Sequence, residues 1–197
     1  MKITRLVSGK LSNNTFVVFS DNKNECILID AAAPLEEVKK AVGKNKLLGV
    51  FLTHGHFDHV ENLDSIINFY KVPCYIYKTE AEKLYKPLLN YCRVFYTSYT
   101  TTLPRNAFVL LEDDQTVELS NFAINTTLTK GHTDGSVCYL VNETLLFTGD
   151  TMFFEGYGRT DLLTGSTEDM VNSLDILSKK FGGMEFYSGH GENGKIK

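Results

Sequence analysis

Five histidines carry most of the chemistry open to this chain. Three of them fall in Thr53-His54-Gly55-His56-Phe57-Asp58-His59, straight after the apolar run Leu47–Leu52. Imidazole is the commonest neutral metal ligand, and carboxylate is the hard partner that suits zinc, iron or manganese. His54 and His56 are two apart, so in an extended segment both side chains point the same way and reach one ion. Gly55 lets the backbone turn between them without a Cβ penalty. Asp58 and His59 follow where the chain bends toward a helix, and adjacent residues there diverge enough to serve a second ion. The other two histidines lie in Gly131-His132-Thr133 and Gly189-His190-Gly191, each after an apolar, strand-like run. No histidine is left over for the surface. The pattern outlines a cradle for two metals.

The elements that must position these residues are legible in the apolar spacing. Ile3–Val7, Thr15–Ser20 and Cys26–Ile29 read as an antiparallel meander, with a turn at residues 21–24. Pro34 suits a helix's first turn, and Leu35, Val38, Ala41 and Val42 give an apolar face that stops at Gly43. Leu47–Leu52 reads as a strand buried on both faces. Leu63, Ile66, Ile67 and Tyr70 recur at helical spacing, and Val72–Tyr77 returns as a strand. Thr79–Leu89 has helical character. Tyr91, Phe95, Tyr96 and Tyr99 then crowd a stretch without a period; they line a pocket, form a subunit contact or pack onto the core. Strands resume at Phe108–Leu111, Thr116–Leu119, Phe122–Thr129, Ser136–Val141 and Thr144–Phe147, with turns at 113–115 and 141–143. Ser166–Lys179 is amphipathic through Met170, Leu174 and Leu177, with Ser166 as N-cap and Asp169 three residues on. Gly182-Gly183 closes that helix, and Met184–Tyr187 is a last strand delivering His190. Two β-rich rounds, each closing with strands and a helix, predict two sheets packed face to face with helices outside. Loops at one edge would bring ligands together from both halves.

Composition narrows the function classes. The 197 residues suffice for one domain with a large core. A net charge of −4 without a basic stripe argues against nucleic acid as a partner. Cys26, Cys74, Cys92 and Cys138 form no C-x-x-C and read as buried thiols of a reducing compartment. The N-terminal residues run straight into strand-like sequence, and no apolar run approaches a bilayer's width. The expectation is a cytoplasmic enzyme acting on a small molecule, away from membranes, with its oligomeric state open.

Four motifs then line up: Thr53–His59, Gly131-His132-Thr133-Asp134-Gly135, Thr148-Gly149-Asp150-Thr151 and Ser188-Gly189-His190-Gly191. In this order and spacing the chain resembles the metallo-β-lactamase-fold superfamily, and within it the short bacterial glyoxalase II-like hydrolases. The resemblance covers essentially the whole chain. It implies an α/β (α+β) fold, a four-layer αββα sandwich over residues 1–197, with a binuclear centre at one edge. Carried over by position, it implies that His54, His56 and His132 hold one metal and that Asp58, His59 and His190 hold the other. Asp150 would bridge them; taken alone it is equally a turn aspartate, and His190 alone a solvated residue near the terminus. Asp30 matches an aspartate that supports a metal-binding histidine, or is a strand-ending turn residue. Gly158-Arg159-Thr160-Asp161-Leu162 is a further likeness, in which Arg159 and Asp161 would pair and brace the Asp150 loop.

The implied activity is metal-dependent hydrolysis of a thioester such as S-D-lactoylglutathione, with two divalent ions, zinc before iron or manganese, and Asp58 as the catalytic carboxylate. Two departures bear on the substrate. The chain ends seven residues after His190, without the helical domain that serves glutathione in glyoxalase II proper, and Lys130 stands where the family often has proline. The alternatives are a persulfide dioxygenase with one iron and an esterase or phosphodiesterase of the same fold. A β-lactamase would be expected to carry an export signal, and a flavodiiron-type reductase would need a glutamate where His56 stands.

Overall fold

The computed structural model describes residues 1–21, 24–94 and 98–197. The middle of the expected turn at 21–24 and the aromatics Phe95 and Tyr96 lie outside the described residues. Two six-stranded sheets dominate. The first runs in chain order through β1 (Lys2–Ser8), β2 (Asn13–Phe19), β3 (Glu25–Ile29), β4 (Lys46–Leu52), β5 (Cys74–Tyr77) and β6 (Phe108–Leu111). The second orders β7 (Thr116–Leu119), β8 (Phe122–Leu128), β9 (Val137–Val141), β10 (Leu145–Gly149), β11 (Glu185–Ser188) and β12 (Gly194–Lys195), again as neighbours in chain order. The helices are α1 (Leu35–Val42), the single turn α2 (Phe57–Val60), α3 (Leu63–Tyr70) and α4 (Thr167–Phe181).

Period-two geometry sorts the apolar residues of the first sheet onto two faces. Phe16, Val18, Ile27, Ile29, Phe51 and Tyr75 point inward and pack with Phe122, Ile124, Tyr139 and Phe147 of the second sheet. Their neighbours Val17, Cys26, Leu28, Val50, Leu52 and Ile76 point outward, under Val38 and Val42 of α1 and Ile66 and Ile67 of α3. Cys138, Leu146 and Phe186 cover the second sheet's outer face beneath Leu177 and Phe181 of α4. The result is the αββα sandwich that the strand pattern predicts. Phe51 stacks on Tyr75 with centroids 4.4 Å apart, and Tyr139 donates its hydroxyl to the Leu52 carbonyl at 2.7 Å, tying one sheet to the other. The β1–β2–β3 meander is antiparallel, whereas β3, β4, β5 and β6 run parallel, as do β10 and β11. Parallel strands end together, so Asp30, Thr53, Asp150 and His190 emerge at one edge.

Local chemistry sets most element ends as the spacing predicts. Pro34 precedes α1, Gly43 at φ 60° follows it, and Glu36, Glu37, Lys39 and Lys40 match the helix dipole. Ser166 caps α4 by accepting from the Asp169 N–H at 3.2 Å. Two readings need correction. The expected helix over Thr79–Leu89 contracts to a 3-10 helix at Ala81–Tyr85, because Glu80 and Lys83 turn inward to an ion pair and Pro87 follows. β5 begins at Cys74 rather than Val72, after Lys71 ends α3 in the left-handed conformation. The segment beyond His190 is not a bare tail: Gly194–Lys195 pairs with β11 as a twelfth strand.

Candidate metal centre

His54 and His56 leave the C-terminal end of β4 in an extended loop, Asp58 and His59 sit on α2, His132 follows β8, and Asp150 and His190 follow β10 and β11. These seven residues meet. His56 Nδ1 lies 3.1 Å from His54 Nε2 and 2.9 Å from His132 Nε2. His190 Nε2 lies 3.3 Å from Asp58 Oδ2. Asp150 stands between the two groups, with Oδ1 3.2 Å from His59 Nε2 and Oδ2 3.4 Å and 3.5 Å from His132 Nε2 and His190 Nε2. Donor atoms from His54, His56 and His132 cluster as a candidate ion site, as do those from His54, His59 and Asp150 and from Asp58, His59 and His190.

The donors fit a metal. Two nitrogens bound to one tetrahedral ion, each about 2.0 Å from it, are about 3.3 Å apart, close to the spacings in the histidine trio. His59 Nε2 and Asp150 Oδ1 are buried and have no hydrogen-bond partner among the described residues, although they face each other. Ring orientation is fixed from behind. Nδ1 of His132 donates to the Arg159 carbonyl at 2.8 Å, and Nδ1 of His190 donates to the Leu11 carbonyl at 3.0 Å. Nδ1 of His59 donates to Asp30 Oδ2 at 2.8 Å. Each bond leaves Nε2 as the atom free to face the centre.

Asp30 does more than end a strand. It sits at φ 58°, an uncommon conformation for a non-glycine residue, and its carboxylate also accepts from the Thr53 backbone N–H at 2.8 Å. Gly189 is required by contact. A Cβ there would lie 2.2 Å from Asp150 Oδ1 and 2.7 Å from His59 Cε1, so only glycine lets the His190 segment cross the centre. Arg159 and Asp161 pair through two bonds of 2.7 Å each, as the sequence suggests. The bracing of the Asp150 loop comes instead from backbone: the Gly158 N–H donates to the Asp150 carbonyl at 3.0 Å.

Sequence reasoning missed a second support. Glu80 accepts from the Gly55 N–H at 2.8 Å through one oxygen and from the Thr133 hydroxyl at 2.9 Å through the other. Lys83, 2% exposed, pairs with both Glu80 and Asp134. This buried group clamps the His54–His56 loop of one sheet to the His132 loop of the other. The only signal was two charges three residues apart in an amphipathic stretch, which a solvated helix face would also show.

The electrostatics divide the centre. Burial, reinforced by neighbouring imidazoles, drives His54 and His56 well below the usual histidine pKa, so both are neutral. Burial also opposes charge on His59 and His190. The carboxylates outweigh it, Asp150, Asp30 and Asp58 around His59 and Asp150 and Asp58 around His190. His59 is held well above the usual value and His190 is raised to about 10. Burial likewise disfavours the Asp150 carboxylate, yet His59 and His190 hold it well below the usual range. The four cysteines are free and buried, and burial pushes the Cys26 and Cys138 thiols up to about 12, so neither supplies a thiolate.

His56, Asp58, His132, Asp150 and His190 form the floor of a cavity of about 450 Å³, walled by Leu11, Phe57, Tyr91, Val94, Phe153 and Leu162. Of the aromatics near residue 91, Tyr91 lines the pocket, its ring centroid 5.1 Å from that of His56.

Fold and centre together define a metallo-hydrolase architecture, and comparison with known proteins agrees. Residues 8–190 match the Metallo-beta-lactamase superfamily, and the chain belongs to it. It is 30% identical over 177 residues to "Probable metallo-hydrolase YqgX" of Bacillus subtilis, covering 88% of this chain and 82% of that one. It is 29% identical over 182 residues to "Probable polyketide biosynthesis zinc-dependent hydrolase PksB" of Bacillus subtilis, covering 91% and 73%. Among solved structures, the BLEG-1 B3 metallo-beta-lactamase superposes with a TM-score of 0.91 at 28% identity, over 99% of this chain and 94% of that one. No helix of the described residues is long and apolar enough to cross a membrane.

Proposed function

We propose that this chain is a thioester hydrolase of glyoxalase II type that works with two divalent cations. His54, His56 and His132 would hold one ion, Asp58, His59 and His190 the other, and Asp150 both. The observation that carries this reading is the meeting of two donor sets across one carboxylate on the floor of an apolar cavity. Zinc is the ion we favour, since PksB is described as zinc-dependent; iron and manganese suit the same donors. When bound, such ions make water acidic enough to give hydroxide near neutrality and draw electron density from a carbonyl oxygen.

The chain's own residues do the rest. Asp58 lines the cavity and accepts the proton of the attacking water. The water oxygen bonds to the carbonyl carbon, the carbon–sulfur bond breaks, and the proton passes to the departing thiolate, giving a carboxylic acid and a thiol. Outside the donor set, the ionisable groups among the described residues that line the cavity are Tyr91 and Arg159. The Tyr91 hydroxyl is engaged by the Leu163 N–H, and Arg159 by Asp161. A reaction without a strong acid beside the leaving atom suits a thiolate better than an alkoxide.

The test is metal content measured together with S-D-lactoylglutathione hydrolysis. Two ions per chain and thioester cleavage support the reading; one iron with sulfite production from a persulfide would replace it. A second reading, β-lactam hydrolysis, is favoured by the likeness to BLEG-1. Cleavage of a chromogenic cephalosporin in the same preparation decides between them.

A further inference from the structure

We propose that the acid half of the substrate is an extended apolar acyl group, carried on a thiol without strong negative charge. This rests on the thioesterase reading and specifies its substrate class. The first observation is the shape of the apolar surface. The cavity's walls are aliphatic and aromatic, and its rim leaves large apolar side chains in water. Val94 in the wall is 57% exposed. Tyr157 and Leu163, on either side of the lining stretch at 158–162, are 49% and 70% exposed. Phe154 is 64% exposed in an adjoining groove of about 320 Å³ that shares Phe153 and His190 with the cavity. Scattered exposed apolar residues need no explanation, but a collar of them around one opening marks a surface that an apolar ligand covers.

The second observation is charge. Outside the donor set, Arg159 is the cation among the described residues that line the cavity, and Asp161 pairs with it through two hydrogen bonds. The adjoining groove carries Glu155 and Glu192. Glutathione brings two carboxylates, and burying a carboxylate without a partner is costly. The site is therefore poorly matched to a glutathione thioester and well matched to an acyl chain that runs from the centre past Phe153 toward Phe154.

The experiment uses the metal-loaded full chain with acetyl, butanoyl, hexanoyl and octanoyl thioesters of N-acetylcysteamine, beside S-D-lactoylglutathione. We expect kcat/KM to rise up to about fourfold for each methylene that becomes buried, with the octanoyl ester ahead of S-D-lactoylglutathione by about tenfold or more. The double variant F154S/L163S, whose sites are exposed and leave the core intact, lowers the octanoyl-to-acetyl ratio by about fivefold. An unchanged thermal melt separates that effect from unfolding. A flat series with S-D-lactoylglutathione preferred overturns this inference and leaves the thioesterase. Failure of every thioester in a chain holding two ions overturns the thioesterase reading beneath it.

Discussion

The two halves of the centre are built on different principles. In the His54, His56 and His132 set all three rings are buried, burial holds His54 and His56 neutral, and Glu80 and Lys83 clamp the loops from behind. The Asp58, His59 and His190 set mixes carboxylates with rings that hold protons, and the His190 side chain is 23% exposed. A cation entering the first set would meet lone pairs already free on His54 and His56. A cation entering the second must displace protons and has charge waiting for it. The difference teaches that one centre can combine a rigid, pH-tolerant position with a responsive one, and it yields measurable contrasts.

The largest effect falls on the residue common to both sets. Asp150→Ala should lower kcat by about a thousandfold or more and reduce bound metal at both positions, checked by turnover and elemental analysis. Retained metal with full turnover would erase the bridge. Asp30→Ala removes the acceptor behind His59 and the partner of the Thr53 N–H and hydroxyl. It should weaken the mixed set by about 10–100-fold and, by stranding buried donors, cost about 3 kcal/mol in the metal-free protein, read by metal titration and thermal unfolding. Glu80→Gln acts on the other side, weakening the histidine set by roughly fivefold with the mixed set unmoved, as cobalt absorption would show.

The contrast also has a pH signature. Metal uptake by the mixed set should tighten by up to about tenfold per pH unit for each proton displaced, while His54 and His56, held neutral by burial, release no proton near neutrality. Calorimetry in buffers of different ionisation enthalpy measures the protons released. In the metal-free protein the sign is reversed for the rings. His59 and His190 have raised values, so their stabilisation is complete below 6.5 and is lost as pH climbs through about 10 for His190. Asp150, held low, contributes above 3.8 and loses that contribution as pH falls. The smallest effect is expected at the exposed Arg159–Asp161 pair, where Asp161→Asn should move Tm by about 1 °C or less.

Much of this was legible in the residues. Strand and helix positions follow from apolar spacing, and the donors follow from five histidines, four in loops after strands and His59 on the single turn α2. What the sequence hid depends on contacts between distant segments. The Glu80–Lys83–Asp134 group looks like solvated charge until the His54 and His132 loops close over it. The twelfth strand is two residues long and exists because Gly194 lies flat on Phe186, where a Cβ would come within 2.3 Å of the ring. Asp30 reads as a turn until the donors it gathers are seen.

The His190 segment is held by the first hairpin. Asn14 donates from its backbone to the Gly189 carbonyl at 2.7 Å and from its side chain to Ser188 and Gly191, and Arg5 donates to the Gly191 carbonyl. The side-chain bonds join residues 174 to 186 positions apart, whereas His56 and His132 are separated by 76. Closing the longer loop sacrifices more chain freedom before any contact compensates it. With two ions bound as proposed, a refolding molecule should become competent for the histidine set's ion before the other, and uptake of that later ion would time the moment the hairpin and the His190 segment meet.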